Sequence, residues 1–591
     1  MGRSSQILCL IVDGDPSASN PHYDCFPPSL RHRYDHSGNL LDGETEPVAA
    51  DIRKQADGPA MARLKIIAGM LGVGLDDLRR RELQRKQRRM AIVTASSLFA
   101  AAFTAVLALN AVSARNEAEQ RRQQAENLLG FMVGDLRGSL ATIGRLDLLE
   151  DVGQQAMNYF ASVDVVSLTD DELLRQAQVL TQLGEIRIEQ LQYQEAADAF
   201  MQAYERSAAL YDSDPADGNR LFNRSQAEFW IGFVHWRSGS LNDARSWLQR
   251  YRNSALVLYS LDSTRSEWLR EVAYGHHNLA VLDQEIGNLT EAEQGFLLET
   301  EILDGLLATE PSNSLLRSKA DVLSYLGKTS LQLGNIDEAI NYYKATVDII
   351  RDIYAKDSGN FAWREDLAFA TQLVAETTAL TGDFPSALSY VDEANSIFDA
   401  LIATDASNLN LLRGSTKPKI TKGFIFAANG QWEQAEQMSL SAIEPLEGIV
   451  DKGNAGNNVR DHLASAYLLN AYINQNKGDT SSALSSLERA EEFLNSIASN
   501  NRLSEERTGM LASLLVMRGQ LLSEQGDTDG ASAAWQLSQD TLGNLSNTSG
   551  SPFVLDPWAR TLFLTGRQDQ AKEISYALKE RNYEPLIPWF F

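Results

Sequence analysis

The sequence predicts an all-α protein. It reads as a superhelical solenoid of helical hairpins behind one transmembrane helix, with a small α/β remnant at its N-terminus. Three observations carry this prediction. Glycines recur, each with an alanine five residues later, at a near-constant interval through most of the chain. A stretch of 25 uncharged residues follows a dense basic run. A short apolar segment closed by Gly, Asp and Pro comes before both.

The repeat is marked by Gly239, Gly287, Gly334, Gly382, Gly430, Gly478, Gly526 and Gly566, spaced 48, 47, 48, 48, 48, 48 and 40 residues apart. Leu191 and Ala196 keep the phase one interval upstream, with leucine in the glycine's place. A second mark, Arg224, Arg270, Arg317, Arg364, Arg413, Arg460 and Arg507, recurs every 46 to 49 residues. Self-similarity at such a period signifies a stacked array. Each unit reads as two helices. In one, "KADVLSYLGKTSLQL" precedes Gly334 and "IDEAINYYKATVDIIRDIY" follows it. The second segment places Ile336, Ala339, Ile340, Tyr343, Val347, Ile350 and Tyr354 on one apolar stripe. The glycine belongs where the chain reverses, because it reaches the left-handed conformation without a Cβ penalty. The alanine, one turn into the next helix, lets the antiparallel partner approach. Array helices of about 20 residues would be about 30 Å long. The last unit is eight residues shorter and reads as a cap over apolar surface that an open solenoid end would expose.

The uncharged segment runs from Met90 to Ala114, enough helix to cross a bilayer core. Arg79, Arg80, Arg81, Arg85, Lys86, Arg88 and Arg89 stand before it. Arg115, Arg121 and Arg122 stand after it, among Glu117, Glu119 and Glu126. The positive-inside bias predicts a cytoplasmic N-terminus and a repeat array across the membrane, as in a single-pass bacterial inner-membrane protein with a periplasmic array. The span begins too far into the chain for a cleavable signal peptide. The predicted organisation is an α/β remnant over 1–60, a basic juxtamembrane segment over 61–89, the span over 90–114, a helical connector over 115–170 and the solenoid over 171–591.

Composition narrows the function classes. The 591 residues exceed what one core holds. The net charge of −26 divides unevenly: residues 1–89 carry 14 Lys and Arg against 12 Asp and Glu, and the remainder 39 against 67. So acidic a body argues against general nucleic-acid binding. Both cysteines, Cys9 and Cys25, lie near the start, leaving no disulfide framework and no cysteine-based metal site in the main body.

The array resembles tetratricopeptide repeats. The stretch "YLGKTSLQLGNIDEAINYYKA" carries that family's Leu-Gly pair (Leu326, Gly327), turn glycine (Gly334), Ala339 and Tyr343. The stretch "LGEIRIEQLQYQEAADAFMQA" has Leu183, Gly184, Tyr193, Ala196, Phe200 and Ala203 in place. The period is about 14 residues longer than the family's usual 34. Lys422, Asn470 and Arg518 replace the leucine before the small residue in later units. HEAT-type repeats have a similar length but lack this punctuation. Before the membrane, "LIVDGDPSASNPHYDCFPPSLR" and "LKIIAGMLGVGLDDLRRRE" resemble the C-terminal end of bacterial Toll/interleukin-1-receptor (TIR) domains joined through one span to tetratricopeptide arrays. The stretch "AENLLGFMVGDLRGSLATIGRLDLLEDVGQQAMNYF" resembles the connector of such receptors. Within that resemblance the catalytic glutamate for NAD cleavage would lie before Met1, so no residue here inherits the role. The alternative reading is a truncated record of a TIR receptor with NAD-cleaving or TIR–TIR signalling activity.

Candidate sites are few. "GMLGVG" has no preceding strand and no Gly-Lys-Ser/Thr ending, so it reads as a linker turn rather than a phosphate loop. His22, Cys25, His32 and His36 match no usual zinc spacing. His276 and His277 are adjacent and point to different helix faces. No Ser-His-Asp arrangement or Gly-x-Ser-x-Gly elbow is present. The reading is therefore a non-enzymatic interaction module with no cofactor and no metal, whose partner is a protein or peptide; a homo-oligomer is compatible with it. Solenoids of this type expose the first helix of each pair on a concave face. Counting helical turns places Phe229, Phe233, Trp236 and Arg237 there in the second unit, Tyr274 and His277 in the third and Lys328 in the fourth. Large aromatics with an arginine suit an anchoring pocket. Aromatics at this spacing more usually pack between units. The acidic surround favours a basic or extended peptide, and a solvated acidic face explains it as well.

Overall fold

In a computed structural model, all eight hinge glycines are left-handed, with φ between 72° at Gly430 and 90° at Gly287. The alanines five residues later (Ala244, Ala292, Ala339, Ala387, Ala435, Ala483, Ala531 and Ala571) are all buried. The two small residues therefore act as the sequence predicts, one at the reversal and one at the crossing. The structure describes residues 7–133 except 19, 21 and 46; residues 155, 157–160 and 165; and residues 168–588 except 191, 454–455, 499–503 and 544. Leu191, the residue standing in the glycine's place in the first unit, lies outside them. The chain divides into two units, Met1–Ala125 and Glu126–Phe591.

In the first unit, strand β1 (Cys9–Ile11) pairs in parallel with β4 (Ala49–Asp51), Cys9 opposite Ala49. Between them come the one-turn helix α1 (Pro28–Arg31) and an antiparallel pair, β2 (His32–Tyr34) and β3 (Leu40–Glu44). Helix α2 (Gly58–Leu71) packs on β1 and β4. The first apolar run, part of the expected α/β remnant, thus forms a strand that is only partly buried. Ile11 is buried, while Leu8, which lies against Gly69 of α2, and Leu10 stay exposed, because a two-stranded sheet with one helix is too small to cover them. Arg31 and Arg53 hold the loops through ion pairs with Asp24, 2.7 Å, and Asp51.

Helix α3 runs unbroken from Leu75 to Val133, 59 residues with one glycine and no proline. Within it Gln87–Gln124 is long and apolar enough to cross a membrane, with mean hydropathy 2.1 and none of the apolar window buried. Most of the predicted connector beyond Val133 lies outside the described residues.

The second unit is a run of antiparallel helix pairs, the first of each pair ending at the hinge. They are α4 (Asp170–Glu189) with α5 (Tyr193–Ser213), α6 (Gly218–Arg237) with α7 (Leu241–Leu261), α8 (Ser266–Ile286) with α9 (Leu289–Thr309), and α10 (Asn313–Leu333) with α11 (Ile336–Lys356). Then follow α12 (Phe361–Ala379) with α13 (Phe384–Thr404), the two-part α14 (Leu409–Gly414) and α15 (Thr416–Ala428) with α16 (Trp432–Asp451), α17 (Asn457–Lys477) with α18 (Thr480–Ala498), and α19 (Glu505–Glu524) with α20 (Thr528–Leu542). After the single turn α21 (Leu545–Thr548), the short pair α22 (Pro552–Leu564) and α23 (Gln568–Glu580) forms the cap. Helix α4 starts on a capping box in which the Thr169 amide donates to the Glu172 carboxylate, 2.8 Å.

Within a pair, the small residue seven before the hinge glycine receives a large side chain from the second helix. A Cβ on Gly327 would sit 2.6 Å from the Tyr343 ring, and one on Gly184 2.5 Å from Phe200. Between pairs, first helices approach one another more closely than second helices do, as α12 with α15 and α15 with α17. First helices therefore line the inner face. Polar rungs join them at nearly the repeat interval. Gln226 donates to Glu271 at 2.9 Å, Gln284 to Thr329 at 2.7 Å and Asn410 to Glu365 at 2.7 Å, and Arg507 pairs with Asp461 at 2.8 Å. Lys422 and Arg518, which stand where the motif expects leucine, reach back to Asp392 at 2.6 Å and Glu491 at 2.6 Å on the preceding second helices.

The arginine series is not one structural row. Arg224 precedes its hinge glycine by 15 residues and Arg317 by 17, a rotation of about 200° on a helix. Accordingly Arg224 stacks over the Tyr211 ring at 4.2 Å, whereas Arg317 pairs with Asp366 on the next first helix at 2.8 Å.

The cap does more than cover the last full pair. Leu578, Ile574, Phe553 and Leu555 pack with Ile336 and Ile340 at the start of α11 and with Leu380 past the end of α12. Asn582 ends α23 in the left-handed conformation, φ 61°, and its side-chain amide donates to Asp337 at 2.8 Å, 245 residues away.

Candidate partner-binding surface

Helix α6 carries Phe229, Trp230, Phe233 and Trp236, four large aromatics at steps of one, three and three residues. Their spacing spreads them over one side of the helix, where they form a chain of ring contacts. Centroids lie 5.1 Å apart for Phe229 and Trp230, 5.7 Å for Trp230 and Phe233, and 6.0 Å for Phe233 and Trp236. The cluster is anchored from behind, where Trp230 stacks on Phe200 at 5.4 Å and Phe229 leans on Tyr251 at 5.6 Å. Burial and Glu271, which accepts from the Tyr251 hydroxyl at 2.7 Å, push that phenol well up, so it stays a neutral donor.

The seven residues expected on the inner face fall into two groups. Phe229 and Trp236 pack between units against the cluster of Ala244, Leu248, Leu279 and Leu282, and the Trp236 indole donates to Glu285 on α8. His277 is likewise held, hydrogen-bonded to Glu299 at 2.8 Å and edge-on to Phe296 and Tyr325. Burial pushes the Glu299 carboxyl above its usual range, against the hydrogen bond from His277. Arg237, Tyr274 and Lys328 are exposed, and Phe233 is half-buried beside the Phe229 ring, 6.0 Å away. Phe233 and Lys328 occupy equivalent places, each directly after the small residue of its helix. The outcome is an open inner surface across α6, α8 and α10, with a rigid aromatic floor and Arg237, Tyr274, Asp321 and Lys328 around it.

Two features escaped the sequence reading. Trp230 completes the aromatic chain; its place one residue from Phe229, about 100° around the helix, was the available signal. A polar cleft of about 460 Å³ opens beside α11 and α12, lined by Asp337, Asn341, Lys344, Thr378, Asp383 and Asn582. It is assembled by the cap's return to the fourth pair, which no local pattern announces.

A family model described as a tetratricopeptide repeat matches residues 320–352, the second half of α10 and most of α11. No curated protein sequence matches the chain. Among solved structures, the apo form of RapI is similar at 11% identity and TM-score 0.44, covering 68% of this chain and 98% of its own. A Rap protein complexed with competence and sporulation factor is similar at 13% identity and TM-score 0.37, covering 70% and 98%. A tetratricopeptide repeat protein from Parabacteroides merdae is similar at 15% identity and TM-score 0.31, covering 58% and 99%. The chain is a helical-hairpin solenoid, and one of its units matches a tetratricopeptide repeat.

Proposed function

We propose that the chain is a non-enzymatic, membrane-tethered capture protein. A protein or peptide docks on the inner surface of α6, α8 and α10 outside the cytoplasm, and α3 links that event to the N-terminal unit in signalling. The observation that carries the reading is the ring-stacked floor of α6 beneath the exposed Arg237, Tyr274 and Lys328. A rigid aromatic platform with charged neighbours is the composition of binding hot spots. The double substitution Phe233→Ala/Arg237→Glu is expected to lower recovery of a co-purifying partner roughly tenfold, with the array still folded; unchanged recovery would refute the site.

Placement across the membrane draws support from the apolar window of α3 and the basic run before it. A membrane-impermeant maleimide applied to intact spheroplasts should label a cysteine at the exposed position Lys452 and spare Cys9 and Cys25. The reverse pattern would overturn the orientation.

A second reading makes the N-terminal unit the end of a TIR-type signalling domain. The parallel pairing of β1 with β4, with α2 packed behind, favours it. It expects TIR–TIR association or NAD consumption by the protein that contains a whole domain, and a purified full-length product that does neither would refute it.

A further inference from the structure

The inner face changes character along the array. In the open half its residues include Phe233, Tyr274 and Lys328, and Tyr274 is 38% exposed. At three inner positions of the fifth to seventh pairs the residue is apolar and covered. Phe424 stands directly after its helix's small residue, as Phe233 does, and is 8% exposed; Leu468 matches Phe229 and His277 and is 8% exposed; Leu380 is 7% exposed. What covers this stretch includes the chain's own end. After the left-handed Asn582, Tyr583 to Pro588 leave the cap as a segment outside helix and strand that carries two prolines and bends at Leu586 and Ile587. Tyr583 and Pro585 point in and Glu584 out. Leu586 packs on the clusters that contain Leu380, Ile425 and Phe424, and Ile587 on the last of these.

The polar contacts reach the segment's main chain at both ends. The Glu584 amide donates to the carbonyl of Leu380, an acceptor left free where α12 ends, at 2.7 Å. At the other end the Arg560 guanidinium, mostly buried, donates to the carbonyls of both Ile587 and Pro588, the latter at 3.1 Å. Asp556 aims that guanidinium, accepting from Arg560 Nε at 3.0 Å, and also accepts from the Tyr583 hydroxyl at 3.2 Å. Among the described residues the Glu584 bond is the one main-chain hydrogen bond from Glu584–Pro588 to the array. Leu586 and Ile587 are only half-buried.

We infer that the inner groove of the fifth to seventh pairs, with Arg560 and Asp556, is a second peptide site, specific for a Pro-aliphatic-aliphatic-Pro segment that bends at its aliphatic pair. The chain's own tail fills it at rest, and a partner segment of that chemistry binds by displacing Glu584–Pro588. Recognition runs through one main-chain donor, two consecutive carbonyls and two aliphatic side chains, so the ligand's backbone and its prolines matter more than its charge. The site lies apart from the aromatic floor of α6, and its test is independent of that reading.

The test uses the full chain in detergent micelles and a fluorescein-labelled peptide of residues 582–588, NYEPLIP. Leu586→Asp/Ile587→Asp empties the groove, and the peptide should bind that variant roughly tenfold or more tightly than the unaltered chain, whose site is mostly occupied. Adding Arg560→Ala should remove roughly tenfold of that affinity. Equal binding to the unaltered chain and the double variant, or binding to neither, overturns the inference. Hydrogen exchange on the unaltered chain gives a readout free of any substitution. The Glu584 amide should exchange roughly a hundredfold faster than the Leu562 amide of α22. Equal protection would make the tail a fixed part of the cap and overturn the inference.

Discussion

At the scale of single residues, two kinds of glycine do different work in this chain, and their substitution separates them. Gly430 is a hinge with φ 72° and open space where a Cβ would go. Gly430→Ala meets only the left-handed backbone penalty, about 1 kcal/mol. Gly509 on α19 faces the start of α22, and a Cβ there would lie 1.9 Å from the Phe553 carbonyl oxygen. Main chain cannot rotate away as a side chain can, so Gly509→Ala should cost about 3 kcal/mol, the upper range of overpacking. Urea unfolding followed by far-UV circular dichroism checks the order; equal losses would contradict the packing described for the cap. The hinge glycines were legible because their conformation is a local property. Gly509 was not, since its neighbour comes from another helix pair and the spacing between them carries no pattern.

Among elements, the unit of cohesion is the rung between successive first helices, and one rung carries a histidine. His462 on α17 is buried against α14 and α15, its Nδ1 3.0 Å from the Thr416 hydroxyl. Burial, then the nearby charges of Lys417 and Arg413, hold its pKa well below the usual histidine range. The sign follows directly. Below about pH 6.5 the unfolded chain binds a proton here that the folded chain does not. Stability is therefore complete above the ordinary histidine pKa and falls as the pH is lowered through it. Thermal melts at pH 7.5 and 5.5 should show a larger loss for the unaltered protein than for His462→Gln, and equal losses would contradict the assignment. Helix existence and pairing were readable from the apolar stripes and the hinges, down to the cap's shortened helices. The rungs were not. Gln284 and Thr329, or Thr416 and His462, are ordinary polar residues until adjacent helices bring them within hydrogen-bond distance. The expected inner-face residues split for the same reason: Trp236 and His277 find partners on the neighbouring helices, and Arg237 and Lys328 do not pack there.

For the molecule as a whole, regularity and departure from it have separate consequences. The regular pairs make a rigid inner surface that opens at α6, α8 and α10, where aromatic rings are fixed by other rings rather than left to collapse. The departure comes at the C-terminus, where the cap returns to the fourth pair through Ile336, Ile340 and Asn582 and feeds the tail into the inner groove. A repeat can be read from one sequence period, whereas a return over 245 residues has no period to read.

The central claim is that the open inner surface, and not the outer one, receives the partner. Site-specific incorporation of a photo-crosslinking phenylalanine analogue tests it most directly. One variant carries the probe in place of Phe233, the other in place of Leu297, which is exposed on the second helix α9. Irradiated in intact cells, the Phe233 variant should yield one discrete adduct that the Leu297 variant lacks. Adducts of equal yield from both positions, or none from Phe233 where Leu297 gives one, would contradict it.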